Sequence, residues 1–374
     1  MMTGLLDKKF FRKFSDPGGM LDATVKFPAQ WREAAQIGYE FDPPEFDFDR
    51  ALVVGMGGSA IGGELAGAYL AAKGSVQVTV NRGYRLPKWV NKKTLIVASS
   101  YSGNTAETLS CVDEAQKKKC PILGITQWKV PKKVNQLADI AGAHGIPLIR
   151  IRPGFSPRAA LGYSFVPLLI AFSKLGRVPD VRPAISETLT VLRRLSKFYG
   201  PGVPTEDNLA KQLAVVLYQR LPIIYGGQGP FETIAYRWRC QFNENSKSLA
   251  ISHAVPEMNH NEIVGWENPM HICQGAVVCC LWDRDDHPEV KERFSIIHDL
   301  IEHAGAFVFD FASQGKSLIA RMSSLIYLGD FVSVYLALRE AVDPSPVHRI
   351  DLLKARLDEF TKHARSKKGE RGGK

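Results

Sequence analysis

The sequence predicts an α/β fold of two domains, each a parallel sheet flanked by helices in a doubly wound, flavodoxin-like arrangement, followed by a C-terminal helix. From Arg50 onward, short apolar runs alternate with stretches of helical length. Strands that alternate with helices of about 10 to 15 residues imply a parallel sheet covered on both faces. After a charged, Pro-punctuated helical segment at 180–205 the pattern starts again. The length agrees, because 374 residues at about 150 per domain give about two domains.

Residues 1–47 read as a polar and aromatic lead-in that ends in the turn-rich FDPPEFDFD. ALVVG (51–55) has the uninterrupted apolar character of a buried strand, and an Ala- and Gly-rich helix follows at 59–74. Further strands are expected at 76–81, 94–100, 121–126 and 145–151, with helices at 105–119 and 159–176. The second series places strands at 221–227, 275–283 and 306–311, with helices at 206–220, 230–247, 287–303 and 317–341. A last helix, 346–364, begins after the DPSP turn. The expected division is therefore a lead-in at 1–47, a first domain at 48–195, a second at 205–342, and a C-terminal helix with a disordered basic tail at 343–374.

With 45% hydrophobic and 23% charged residues, the composition is that of a globular protein, not a disordered, collagen-like or disulfide-stapled one. The longest charge-free stretches, 159–173 and 268–282, hold 15 residues each, whereas a bilayer span needs about 20. No membrane partner is expected, and the N-terminus lacks an apolar signal core, so the expected location is the cytoplasm. The six cysteines include no C-x-x-C and read as reduced, buried thiols.

The net charge of +10 raises nucleic acid as a partner, and its distribution argues against one. KHARSKKGERGGK at 362–374 holds six basic residues and one Glu, a net +5, with no large apolar residue to repay ordering. Half the excess charge thus belongs to the tail. No nucleic-acid-binding motif accompanies the remainder.

Two strand-to-helix loops carry the chemistry. GMGGSAIGG (55–63) is a glycine-rich turn into a helix, which lets a ligand approach the backbone and aims free N–H groups at an anion. Gly55-x-Gly57-x-x-Ala60 also fits a dinucleotide fingerprint, but Asn81-Arg82 stands where a ribose-binding carboxylate belongs, leaving only an NADP-type reading. The second loop, SSYSGNTAET, brings Ser99, Ser100, Ser102, Thr105 and Thr108 to another helix start. Each hydroxyl alone could be a helix cap, Thr105 above all. Five of them beside a glycine loop favour a bound phosphate monoester, whose oxygens each take several donors.

These loops, together with GFSPRAALGY (154–163), FNENSK (242–247), PEMNHNEIVGW (256–266) and DPSPVHRIDLLKARL (343–357), resemble the sugar isomerase (SIS) domain proteins. More narrowly, the six pieces in this order are similar to the bifunctional phosphoglucose/phosphomannose isomerases. The one departure is Ala106 where the family's loop has an acid; it leaves the backbone donors of the phosphate loop intact.

An aldose–ketose isomerase opens a sugar ring and moves a proton between carbons 1 and 2 through a cis-enediol. This takes a carboxylate base, a ring-opening acid/base and positive charge at the enediolate oxygens. By residue types alone Glu244 and Lys247 could be a surface pair on one helix face. The resemblance implies instead that Glu244 is the base, His260 opens the ring, Lys354 assists, and Arg158 stabilises the enediolate. It assigns sugar and phosphate contacts to Gly57, Gly58, Ser59, Ser100, Ser102 and Thr105. It further implies a homodimer in which His260 crosses to the neighbouring subunit's site, a hexose 6-phosphate substrate, and no cofactor. His253, Glu257, His260 and Glu262 lack the spacing of a metal-binding helix, so no metal is expected. The alternatives are a non-catalytic SIS module that senses sugar phosphates, or an isomerase of another hexose or amino-sugar phosphate.

Overall fold

The computed structural model describes residues 3–128 and 130–371. Three helices, α1 (Lys9–Ser15), α2 (Met20–Val25) and α3 (Phe27–Glu40), precede the first strand. The first sheet comprises β1 (Arg50–Val54), β2 (Gln77–Asn81), β3 (Thr94–Ser99), β4 (Ile122–Gln127) and β5 (Leu148–Ile151), linked by α4 (Gly57–Lys73), α5 (Ala106–Lys117) and α6 (Gln136–His144) and followed by α7 (Leu161–Lys174). Its order is β2-β1-β3-β4-β5 and every pair is parallel, the flavodoxin-like winding.

α8 (Arg182–Tyr199) and α9 (Leu209–Leu217) lead to the second sheet of β6 (Leu221–Gly227), β7 (Ile251–Val255), β8 (Ala276–Trp282) and β9 (Phe307–Ala312). Its parallel order, β7-β6-β8-β9, repeats the first winding without a fifth strand. Helices α10 (Pro230–Gln241), α11 (Met270–Gln274) and α12 (Pro288–His303) accompany it, and α13 (Leu318–Arg339) and α14 (His348–Arg371) complete the chain. The two halves therefore share one topology, as the alternating pattern implies.

Three parts depart from the sequence reading. The lead-in is largely helical: α3 buries Phe27, Trp31, Ala34, Ala35 and Gly38, one face of a 3.6-residue period. Three elements have no counterpart among the expected ones: α6, β7 and the short α11. Helix α6 is started by Asn135, whose side chain accepts from the Ala138 amide, and β7 is a half-exposed edge strand. The last helix also extends past residue 364 to Arg371, into the stretch expected to be disordered. Residues 372–374 of that tail lie outside the described residues.

One apolar cluster joins the two halves, beside a smaller one in each half, and α13 runs through it with every residue from Leu318 to Leu338 buried. By length and composition α13 could span a membrane, but here it is a core helix. Within it, Asp330 accepts from Arg237 of α10 at 2.9 Å and from Gln241 at 2.8 Å. Gly329 is required beside them, because a Cβ there would overlap the Trp238 ring. This close crossing of α10 on α13 fixes the end of α10, where the candidate base lies.

Candidate active site

The glycine loop works by close approach. Gly57 has a φ of 50°, in the left-handed region, and opens α4. A Cβ on Gly55 would lie 2.7 Å from the Ser99 carbonyl oxygen, and one on Gly58 would overlap the Pro157 carbonyl. Glycine at these positions thus brings the end of β3 and the Arg158 turn together at the start of α4. Ser59 is buried and accepts from the Tyr101 amide at 3.2 Å, so it braces the hydroxyl loop from beneath.

In that loop the Ser100 and Thr105 hydroxyls are 2.9 Å apart, and Ser100 Oγ accepts from the Gly103 amide. Gly103 takes a φ of 74°, which turns the chain. Thr105 holds the N-cap position of α5, yet its hydroxyl makes no capping bond, so the first amides of the helix stay available to an anion. Ser102 is exposed. Of the five hydroxyls noted in sequence, Thr108 is buried inside α5 and Ser99 donates to the Ser59 carbonyl; Ser100 is buried too, but its hydroxyl belongs to the loop beside Thr105, and Ser102 is the exposed one.

Arg158 sits on a 3-10 turn, Pro157–Ala159, with its side chain 6% exposed. Its Nε donates to Asn245 Oδ1 at 2.6 Å, and Nη2 donates to the carbonyls of Pro344 and Ser345 at 2.6 and 2.8 Å. The remaining terminal nitrogen, Nη1, lies 3.5 Å from Glu244 Oε2. Burial lowers the pKa of the guanidinium and the nearby Glu244 and Asp343 raise it; an arginine keeps its charge regardless.

Glu244 belongs to a five-residue π-helical segment, Phe242–Ser246, that widens the end of α10. Such wide turns form where tertiary bonds replace the regular ladder and are frequent at functional sites. Here Asn245 Nδ2 donates to Ser333 Oγ and Ser246 Oγ to the Ser333 carbonyl, both on α13. The Glu244 side chain is 30% exposed beside Arg158. Lys247 then leaves the segment with a φ of 57°; its ammonium bonds backbone carbonyls, not the Glu244 carboxylate expected of a helix-face pair.

Among the described residues, no hydrogen bond or ion pair joins the other two candidates to this cluster within one chain. His260 ends a short 3-10 turn, Glu257–His260, is exposed, and makes no hydrogen bond or ion pair among the described residues. Its loop is held by Glu262, which accepts from Tyr225 at 2.5 Å and pairs with His253 Nδ1 at 2.8 Å, while Trp266 donates to Tyr225. In sequence His253 and Glu262 enter only as metal ligands set aside on spacing; their pairing depends on β6, β7 and the following loop meeting. Lys354 is exposed on α14, and so are Ile350, Leu353 and Leu357 around it. Arg82, the residue of the NADP-type reading, is engaged with Glu64 at 2.6 Å and stacks over Tyr236.

Residues 206–357 match the model of the bacterial phospho-glucose isomerase C-terminal SIS domain. A bifunctional phosphoglucose/phosphomannose isomerase of Caldicellulosiruptor bescii is 46% identical over 343 residues, covering 91% of this chain and 99% of that protein. The chain belongs to the bifunctional phosphoglucose/phosphomannose isomerase family. The family's Aquifex aeolicus member is 34% identical over 83% of this chain and 90% of its own. In fold, a hypothetical protein of Thermus thermophilus superposes with a TM-score of 0.74 at 16% identity, over 96% of this chain and 94% of that one. Both halves are thus read as SIS-type sheets, and the protein is a sugar-phosphate isomerase.

Proposed function

We propose that the protein interconverts glucose 6-phosphate and mannose 6-phosphate with fructose 6-phosphate by metal-independent proton transfer through a cis-enediol. The observation that carries this reading is the Arg158 guanidinium, held on three sides, with its remaining nitrogen 3.5 Å from the Glu244 carboxylate. A fixed cation beside a half-buried carboxylate suits abstraction of the proton at carbon 2 by Glu244, while Arg158 stabilises the charge that develops on the oxygens. Because Arg158 is locked before substrate arrives, little reorganisation remains for the transition state. Ser100, Ser102, Thr105 and the amides at the start of α5 hold the phosphate, with Gly57, Gly58 and Ser59 shaping the wall.

Ring opening is assigned to His260 of the partner subunit in a homodimer, with Lys354 assisting. Support comes from the exposure of both side chains and from the braced loop that carries His260. Accepting both aldoses requires the enediolate to turn about its C2–C3 bond, so that Glu244 serves either face of carbon 2. The domain division proposed is 48–195 and 205–342, with the site shared between them, and the enzyme works in the cytoplasm. A non-catalytic SIS module has no use for a base braced by arginine, and is not favoured.

The test is a coupled assay on glucose and mannose 6-phosphates, with and without chelator. Turnover of both, unchanged by chelator, supports the reading; no turnover of either, or loss on chelation, sinks it.

A further inference from the structure

Lys247 closes the π-helical segment in a left-handed backbone conformation, which side-chain-bearing residues rarely adopt. A glycine would take this φ with less strain, so the lysine side chain itself calls for an explanation. Its ammonium donates to three carbonyl oxygens: Glu244 at 2.7 Å, Pro344 at 3.1 Å and Asn245 at 3.3 Å. All three of its N–H donors are used, on two segments. The Pro344 carbonyl also accepts from Arg158 at 2.6 Å, so two cations grip the turn from which α14 departs.

We propose that Lys247 is a positioning residue for the isomerisation: by tying the backbone of Glu244 and Asn245 to the Pro344 turn, it sets where the Glu244 carboxylate stands over the substrate carbons. The proposal rests on the reading of Glu244 as the base. Lys247 does not reach the reacting atoms. It acts on the main chain that carries Glu244, while Asn245 and Ser246 are held separately by Ser333.

The ammonium has a charge balance of its own. Partial burial and the neighbouring Arg158 bring its pKa down to about 8, against the opposing pull of Asp343 and Glu244. Those are the charged groups that face it: Arg158 from the 3-10 turn, Glu244 from the π segment, and Asp343 from the turn before α14. Above that pH the neutral amine keeps two donors for three carbonyls, and the tie loosens. Its protonation therefore gives turnover an alkaline limb, which falls as the pH rises through about 8.

The experiment measures kcat and KM for fructose 6-phosphate across pH in wild type, Lys247→Arg, Lys247→Met and Glu244→Gln, each checked for folding by thermal unfolding. Lys247→Met is expected to lose kcat by about 10- to 100-fold with KM changed by less than about 3-fold, since a displacement near 1 Å costs rate and not phosphate binding. Lys247→Arg, whose cation does not titrate, recovers at least half of that loss on a logarithmic scale and moves the alkaline limb upward by more than about one unit. Wild-type kcat in Lys247→Met overturns the proposal, as does an alkaline limb left in place in Lys247→Arg. The arginine variant keeps the proposal testable if the methionine variant fails to fold. Glu244→Gln separates the two readings: normal turnover there removes the base assignment, whereas an inactive Gln variant beside an unaffected Lys247→Met removes only the role of Lys247.

Discussion

Gly58 and Pro157 meet so closely that a side chain on the first would overlap the carbonyl of the second. This contact seats the Arg158 turn on the start of α4, and so sets the guanidinium relative to the two loops. Replacing Gly58 by Ala must push the turn away. We expect Gly58→Ala to lower kcat by about 10- to 100-fold, through misplacement of Arg158, and stability by about 1–3 kcal/mol, through overpacking. Steady-state kinetics and urea unfolding check both.

Arg158→Lys is expected to fail as a conservative change. A lysine carries one ammonium and cannot reach Asn245, Pro344 and Ser345 while also facing Glu244. A loss of kcat of about 10²- to 10³-fold is expected, the usual scale for removing an aligned charge-stabilising donor. Kinetics at saturating substrate test it, and a lysine variant near wild-type turnover would remove Arg158 from the chemistry.

The phosphate does not change during isomerisation, so its contacts bind ground and transition states alike. Ser100→Ala, Ser102→Ala and Thr105→Ala should each raise KM, by about 10-fold, with kcat nearly constant. Thr108→Val, at a buried position in the same motif, should leave KM unchanged. A kcat defect with normal KM in the serine variants contradicts the placement of phosphate at this loop.

A pH effect on stability arises away from the site. Asp286 lies against Gly227 and accepts from the Asp283 amide. Its pKa is raised to about 6, by burial first and by Asp283 second, with that amide bond and the Lys291 and Arg321 charges pulling the other way. The folded state therefore favours the protonated form. Relative to an uncharged side chain the site costs little near pH 4, becomes destabilising as the pH rises from about 4 to about 6, and keeps that penalty unchanged at higher pH. Because the group is partly exposed, solvent screening limits the effect to about 1 kcal/mol. Asp286→Asn should raise the Tm at pH 7 and leave it unchanged at pH 4, as read by calorimetry at both pH values.

Much of the fold was legible because its central strands are buried on both faces. ALVV (51–54) and LIVA (95–98) have no reason to be so uninterruptedly apolar unless a sheet is covered twice. β7, ISHAV, was missed because an edge strand needs no such run: its outer residues remain partly exposed. The stripe of α3 was in the sequence but obscured by the polar and aromatic residues around it. In the site, the resemblance supplied Glu244 and Arg158, yet nothing local shows that they meet. The π segment is equally silent in sequence. FNENSK reads as the continuation of a helix, and its widening depends on Arg158 and Ser333, which lie far off along the chain. The role of Lys247 is hidden for the same reason, since its carbonyl partner Pro344 belongs to another segment.

The most direct test of the account follows the conversion of glucose 6-phosphate in heavy water by NMR, with wild type and Glu244→Gln side by side. Proton transfer by Glu244 through an enediol predicts solvent deuterium at carbon 1 of the fructose 6-phosphate made by wild type. The Gln variant should lose at least about 10³-fold of the rate, within the range that a missing general base explains. Conversion by Glu244→Gln at the wild-type rate would contradict the account.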